Sequence, residues 1–123
     1  MSTAPPAQAA DWNHPLPREL YRALSDCETG SNVAHLTRTY VGPFGFTKTV
    51  FRWYADTPVH RAKHLTYAQH ARIFDRAFFF GHDGRRPVGP WGHGCWKLWW
   101  KQSAKLRHTV CHNAKQQVRR WCR

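Results

Sequence analysis

Acidic residues are missing from the C-terminal third of the chain. None occurs between Gly84 and Arg123, a range that holds ten lysines and arginines. The whole chain of 123 residues has 19 basic and 7 acidic residues, which gives a formal net charge of +12. Such an excess favours anionic partners: RNA, DNA, anionic lipid headgroups or an acidic protein surface.

Long apolar runs are missing too, so we expect no transmembrane segment. The N-terminus lacks the basic start and apolar core of a secretory signal. The four cysteines, at positions 27, 95, 111 and 122, follow no disulfide-scaffold spacing. On one helix Cys111 and Cys122 would lie about 16 Å apart, too far to bridge. We therefore expect reduced thiols in an intracellular, reducing compartment.

Catalytic motifs are the third absence, since the chain has no nucleophile elbow, phosphate loop or H-E-x-x-H sequence. Its acids stand singly, with no close pair for acid/base chemistry. His60, His64, His70 and Asp75 fall on one predicted helix, where a solvated or packed face accounts for them. We expect the protein not to be an enzyme.

Tryptophan, by contrast, is abundant: seven of the 123 residues, within an aromatic content of 15%. A chain of this size leaves much of its surface exposed, so we expect some of these rings to contact a partner. Four of them cluster at positions 91, 96, 99 and 100, among lysines.

The predicted fold is mainly α, with an extended arm (1–13) and one small α-rich domain (14–123). A short helix over 15–26 would place Leu16, Leu20, Tyr21 and Leu24 on one side. An extended aromatic segment follows over 34–55. A helix over about 58–80, capped by Thr57 and stopped by Gly81, would bury Leu65, Ile73, Phe74, Ala77 and Phe78. Because no Pro or Gly occurs after residue 95, a long helix over about 96–121 completes the prediction.

Our principal interpretation is a hydrophobic wedge that enters a groove on a larger protein, with a basic rim around it. The predicted partner-binding residues are Trp12 on the arm, Trp91, Trp96, Trp99 and Trp100, with Lys97, Lys101, Lys105, Arg119 and Arg120. The basic residues would meet an acidic rim or anionic lipid headgroups.

Nucleic acid is the alternative partner. Lys97, Lys101 and Lys105 stack on one side of the predicted C-terminal helix and could follow phosphates. Trp99 and Trp100 could stack on bases. Against this, no RRM, KH, OB or helix-turn-helix signature is present.

A zinc site is the third hypothesis, and no other cofactor is expected. Its candidate ligands are His93, Cys95, His108, Cys111 and His112, whose spacing partly matches the second half of a C2H2 finger. The first pair is H-x-C rather than C-x2–4-C, and a helix stands where a finger needs a hairpin. A helix face without metal is the simpler interpretation.

In composition the chain resembles the small, basic, tryptophan-rich accessory subunits of mitochondrial respiratory complexes. This resemblance implies a non-catalytic subunit of a large assembly in a mitochondrial membrane-associated complex. A small basic RNA- or DNA-binding protein, ribosomal or zinc-assisted, stays open as the alternative, as does an inhibitor of a host factor.

Overall fold

A computed structural model of the chain describes residues 12–88 continuously and, beyond them, Gly94, Cys95, Trp99, Arg107, His108, Cys111 and His112. The fold is mainly helical, as predicted. The seven described residues after position 93 are each α-helical, in agreement with the predicted C-terminal helix except that Gly94 and Cys95 precede it. Most of that helix, and residues 1–11 of the arm, lie outside the described residues.

Helix α1 spans Arg18–Thr29. Pro17 precedes it, in the position where a missing N–H costs nothing. Gly30 ends it in the left-handed conformation, with its N–H donating to the Asp26 carbonyl. The helix begins and ends three residues later than predicted, and its predicted apolar side is confirmed for Tyr21 and Leu24, which are fully buried. Leu20 is only partly buried, and Leu16 is buried but precedes the helix.

A two-stranded antiparallel hairpin follows, with β1 at Tyr40–Val41 and β2 at Phe46–Thr47. Helix α2 spans Lys48–Tyr54. Within the segment predicted as extended (34–55), only Tyr40–Val41 and Phe46–Thr47 are strand, and the prediction is wrong from Lys48 onward, where a helix forms. The physical reason is a cap: the Thr47 hydroxyl accepts a hydrogen bond from the Val50 N–H and starts a helix.

The predicted helix over 58–80 is divided into three parts. A 3₁₀ helix spans Val59–His64, α3 spans Tyr67–Asp75, and a π-helical turn spans Arg76–Phe80. The break comes from a capping box, in which Thr66 and Gln69 bond each other's backbone N–H groups. Thr66, and not Thr57, is thus the cap, since the 3₁₀ helix has no side-chain cap. Gly81 ends the helix as expected.

The core is built around Phe74. Its ring contacts Tyr21 of α1, Phe44 of the hairpin turn, Phe78 and Trp99, at centroid distances of 5.0–6.0 Å. Ile73, Ala77 and Phe78 are buried with it, as predicted, whereas Leu65 is only partly buried. Edge-on and offset rings at these distances contribute beyond the area they bury.

A disulfide joins Cys27 of α1 to Cys95, which lies 68 positions further along the chain, and their Cα atoms are 5.8 Å apart. Cys111 is disulfide-bonded as well. The prediction of reduced thiols is therefore wrong for these three cysteines, and Cys122 lies outside the described residues. Sequence spacing gave no signal, because the partners meet only after α1 and the C-terminal helix pack on the same core.

A buried polar network connects the N-terminal segment to α3. The Asp75 carboxylate accepts hydrogen bonds from His14 Nδ1 and from the Tyr21 hydroxyl, each at 2.5 Å. Burial raises the pKa of Asp75, while the two hydrogen bonds oppose that shift. The Tyr21 hydroxyl also accepts a bond from the Leu16 N–H. The network thus fixes residues 14–16 against the end of α3.

We expect the double substitution Cys27→Ser with Cys95→Ser to lower the free energy of unfolding by about 4 kcal/mol, from the chain entropy of a loop this long. Urea unfolding of the oxidised proteins measures the difference. Because Cys111 is also bonded, a reductant alone does not isolate this disulfide; the double variant does. An unchanged unfolding midpoint would show that the Cys27–Cys95 link carries no stability.

Acid should destabilise the fold through His70. This side chain is buried, its Nε2 lies 2.9 Å from the Ala62 carbonyl, and burial lowers its pKa below the ordinary value of 6.5. Below pH 6.5 the unfolded chain binds a proton there that the folded chain resists. The stability due to neutral His70 is thus present above pH 6.5 and is lost as the pH falls, with a slope of at most about 1.4 kcal/mol per pH unit.

The measurement is urea unfolding between pH 5 and pH 7.5. His70→Gln, which keeps an N–H donor but does not titrate, should reduce the slope, and the matched substitution at the exposed His64 should leave it intact. Equal slopes in wild type and His70→Gln would be evidence against this assignment.

Candidate partner interface

The hairpin and α2 contain no acidic residue of their own, although the Glu28 carboxylate of α1 lies next to Gly45 in the hairpin turn. No Asp or Glu occurs from Thr29 to Ala55, whereas Arg38, Lys48 and Arg52 all lie there. Neighbouring strand residues point to opposite sides of the hairpin. Val41 and Phe46 are consequently buried, and Tyr40 projects outward with 46% of its surface exposed.

Leu36 extends this surface. It forms a bridge with Val41 of β1, and 49% of its surface is exposed. Together with Lys48 and Arg52, one turn apart on α2, it lines a cleft of about 540 Å³ whose other wall is the 3₁₀ helix at Val59 and His60. We call Leu36, Tyr40, Lys48 and Arg52 the hairpin face.

Within the described residues, no carboxylate forms an ion pair with a cation of the hairpin face. In the part of the chain that the structure describes, the four ion pairs within 4.0 Å involve Asp56, Asp75 and Asp83. None of them includes Arg38, Lys48 or Arg52. The hairpin face therefore combines exposed apolar side chains with positive charge available to a partner.

Trp53 lies beside this face on α2 and is already contacted. The Arg85 guanidinium sits 4.0 Å from the ring centroid, a cation–π arrangement that covers one side of the indole. Tyr40 is thus the exposed aromatic ring of the hairpin, and no described cation covers it.

Two predicted partner-binding tryptophans contact the protein's own core instead. Trp99 is only 3% exposed, its Nε1–H donates to the Leu20 carbonyl at 2.8 Å, and its ring packs edge-on against Phe74 and Phe78. This corrects its assignment as an exposed anchor. The reason is that Cys95, one turn earlier, is bonded to α1 and holds this side of the helix on the core.

Trp12 folds back in the same way. It is half-buried, donates to the Leu16 carbonyl at 3.1 Å and lies beneath the Arg18 guanidinium. It does not extend from the domain on an arm. The other predicted partner-binding residues lie outside the described residues: Trp91, Trp96, Trp100, Lys97, Lys101, Lys105, Arg119 and Arg120.

The zinc hypothesis loses two of its five positions. Cys95 and Cys111 are disulfide-bonded, and a disulfide sulfur is not the thiolate that zinc requires. His108 and His112 do face the same way, with stacked rings 5.9 Å apart, and His93 lies outside the described residues. Within the described ranges no three His, Cys, Asp or Glu side chains are placed to hold a metal ion.

The predicted helix face of histidines is also divided. His60 and His64 are exposed on the 3₁₀ helix, whereas His70 and Asp75 are buried on α3. The histidine that contacts Asp75 is His14, 61 positions away, which no local pattern indicated. The sequence analysis did not predict the hairpin face either, although the absence of acidic residues between Glu28 and Asp56 could have indicated it.

Among the helices that the structure describes, none has both the length and the apolar character required to cross a membrane. No protein-family model, curated protein or solved structure matches the chain, so the interpretation of these sites depends on their own geometry.

Proposed function

We propose that the protein is a non-catalytic accessory subunit that binds an acidic protein surface of a larger assembly through the hairpin face. One observation carries this proposal: Leu36 and Tyr40 are exposed beside two cations that no described carboxylate neutralises. An apolar centre with a charged rim is typical of protein–protein interfaces. Complementary charge accelerates association and fixes orientation.

We propose a respiratory-chain complex as the assembly, because the chain resembles the accessory subunits of such complexes in its basic, tryptophan-rich composition. The Cys27–Cys95 disulfide adds a condition, because such bonds persist where thiols are oxidised. The proposal therefore now favours an oxidising compartment over the reducing one expected from sequence. Contact with anionic headgroups would use Lys48 and Arg52 but would leave Leu36 without a matching groove.

RNA or DNA binding is the second candidate, since Tyr40 beside Arg38 is also a combination that grips single strands. Such proteins stack successive bases on several open rings. Here Arg85 covers one side of Trp53, and Leu36 offers no stacking surface. A protein groove accommodates both the aliphatic and the aromatic side chain, which is why we favour it.

The test is the native size of the tagged protein in gently solubilised cell extract, with and without nuclease. We expect a particle much larger than 14.4 kDa that survives nuclease. Lys48→Glu with Arg52→Glu should weaken its association about tenfold or more, because like charges would then face each other across the interface.

The matched control is Arg61→Glu with Lys63→Glu, which changes the charge equally at exposed positions of the 3₁₀ helix. This control should keep the particle, and circular dichroism should show both variants folded. Collapse of the wild-type particle on nuclease treatment would instead assign the hairpin face to nucleic acid. Equal losses in both variants would mean that net charge, and not the hairpin face, governs binding.

A further inference from the structure

A second surface, distinct from the hairpin face, lies where residues 13–15 cross the end of α3. It is a cleft of about 520 Å³, lined chiefly by His14, Arg72, Asp75, Arg76, Phe80 and Gly81. A smaller cleft of about 300 Å³ shares His14, Arg72 and Arg76 and adds a second carboxylate, Asp56. Because Asp75 is bonded to His14 and Tyr21, and Asp56 to Arg76 and His82, Arg72 is the charged side chain of the two clefts that no described group within 4.0 Å neutralises.

Buried hydrogen bonds hold the wall of the cleft in place. The side chains of His14 and Asp75 are only 2% and 6% exposed, and the carboxylate accepts from the imidazole Nδ1. The Tyr21 hydroxyl holds the other carboxylate oxygen. Asp75 thus links His14 to Tyr21 and fixes this wall of the cleft, and a rigid wall lowers the cost of ordering the site when a ligand binds.

Of the two arginines in the clefts, Arg76 forms an ion pair with Asp56 and Arg72 forms none within the described residues. Arg72 and Arg76 are one helical turn apart, a spacing at which like charges repel. Arg76 donates to the Tyr54 carbonyl and to Asp56, each at 3.1 Å. Asp56 also contacts His82, so this carboxylate is shared between two side chains. Among the described residues no carboxylate lies within 4.0 Å of the Arg72 guanidinium.

The helix is also irregular at this point. The π-helical turn begins at Arg76 and ends at Gly81, and such turns are frequent at functional sites. Gly81 has a φ of 75°, and a Cβ there would come within 2.3 Å of the Arg85 carbonyl oxygen. The turn leaves Phe80 with 55% of its surface exposed at the edge of the cleft. An apolar ring therefore stands beside the two arginines.

We propose that this cleft binds a phosphate monoester with an aromatic body, about the size of a mononucleotide. Guanidinium groups match the geometry of phosphate oxygens, and Arg72 and Arg76 would hold them. Phe80 would contact the aromatic body. The volume is in the range that small-molecule sites occupy, which is more than a phosphate ion needs. The proposal does not depend on the partner interface, because the two surfaces share no residue.

The experiment is isothermal titration calorimetry of the full-length oxidised protein at physiological salt, with adenosine monophosphate, adenosine and inorganic phosphate as probes. We expect the nucleotide to bind with a Kd of about 1 mM or tighter, a modest affinity for a site of this size. Inorganic phosphate should bind more weakly, and adenosine should give no signal. Absence of nucleotide binding at millimolar concentration overturns the proposal.

Variants separate the site from general attraction by a basic protein. Arg72→Gln should weaken nucleotide binding about tenfold, the effect of losing one charge-assisted contact. Phe80→Ala should weaken binding of the nucleotide but not of inorganic phosphate. Arg61→Gln removes the same charge at an exposed position that lines neither cleft, and it should not change binding. If Arg61→Gln and Arg72→Gln weaken binding equally, the anion is held by net charge and the proposed site is wrong.

Discussion

The rest of the structure depends on the hydrogen bonds that the buried Asp75 carboxylate accepts. It lies at the end of α3, next to the Phe74 ring at the centre of the core, and it receives hydrogen bonds from His14 and Tyr21. Burying a carboxylate lowers the free energy of unfolding unless its oxygens accept hydrogen bonds. Its two partners come from the N-terminal segment and from α1, so satisfying Asp75 requires both elements to pack on α3. The same requirement forms the wall of the arginine-lined cleft.

A second constraint comes from the C-terminal part of the chain. The disulfide between Cys27 and Cys95 brings that part to α1, and Trp99 then fills the space beside Phe74 and Phe78. A small domain with this many polar residues buries limited apolar area, and a covalent link offsets part of that shortage. The large apolar residues consequently divide into two groups. Trp99, Phe74 and their neighbours are buried and stabilise the fold, whereas Leu36 and Tyr40 are exposed on the hairpin face.

Much of the fold could be predicted from sequence, because its signals are local. Apolar spacing identified the buried sides of α1 and α3, and Pro17 and Gly81 marked real helix boundaries. The capping box at Thr66 and Gln69 was equally readable and was missed in favour of one continuous helix. The remaining features are not local. The contacts of His14 with Asp75 and of Cys27 with Cys95 join residues 61 and 68 positions apart, so no window of sequence contains both partners. Helical periodicity likewise placed Trp99 near Trp96 and Trp100 but did not tell which side of the helix meets the core.

The most direct measurement is a double-mutant cycle between His14 and Asp75. The free energy of unfolding would be determined by urea denaturation for wild type, His14→Ala, Asp75→Asn and the variant with both substitutions. If Asp75 fixes the N-terminal segment as described, the effects should be non-additive by about 1–3 kcal/mol, the range for residues in one buried hydrogen-bond network. Effects that add within about 0.5 kcal/mol, as for independent sites, would contradict the account.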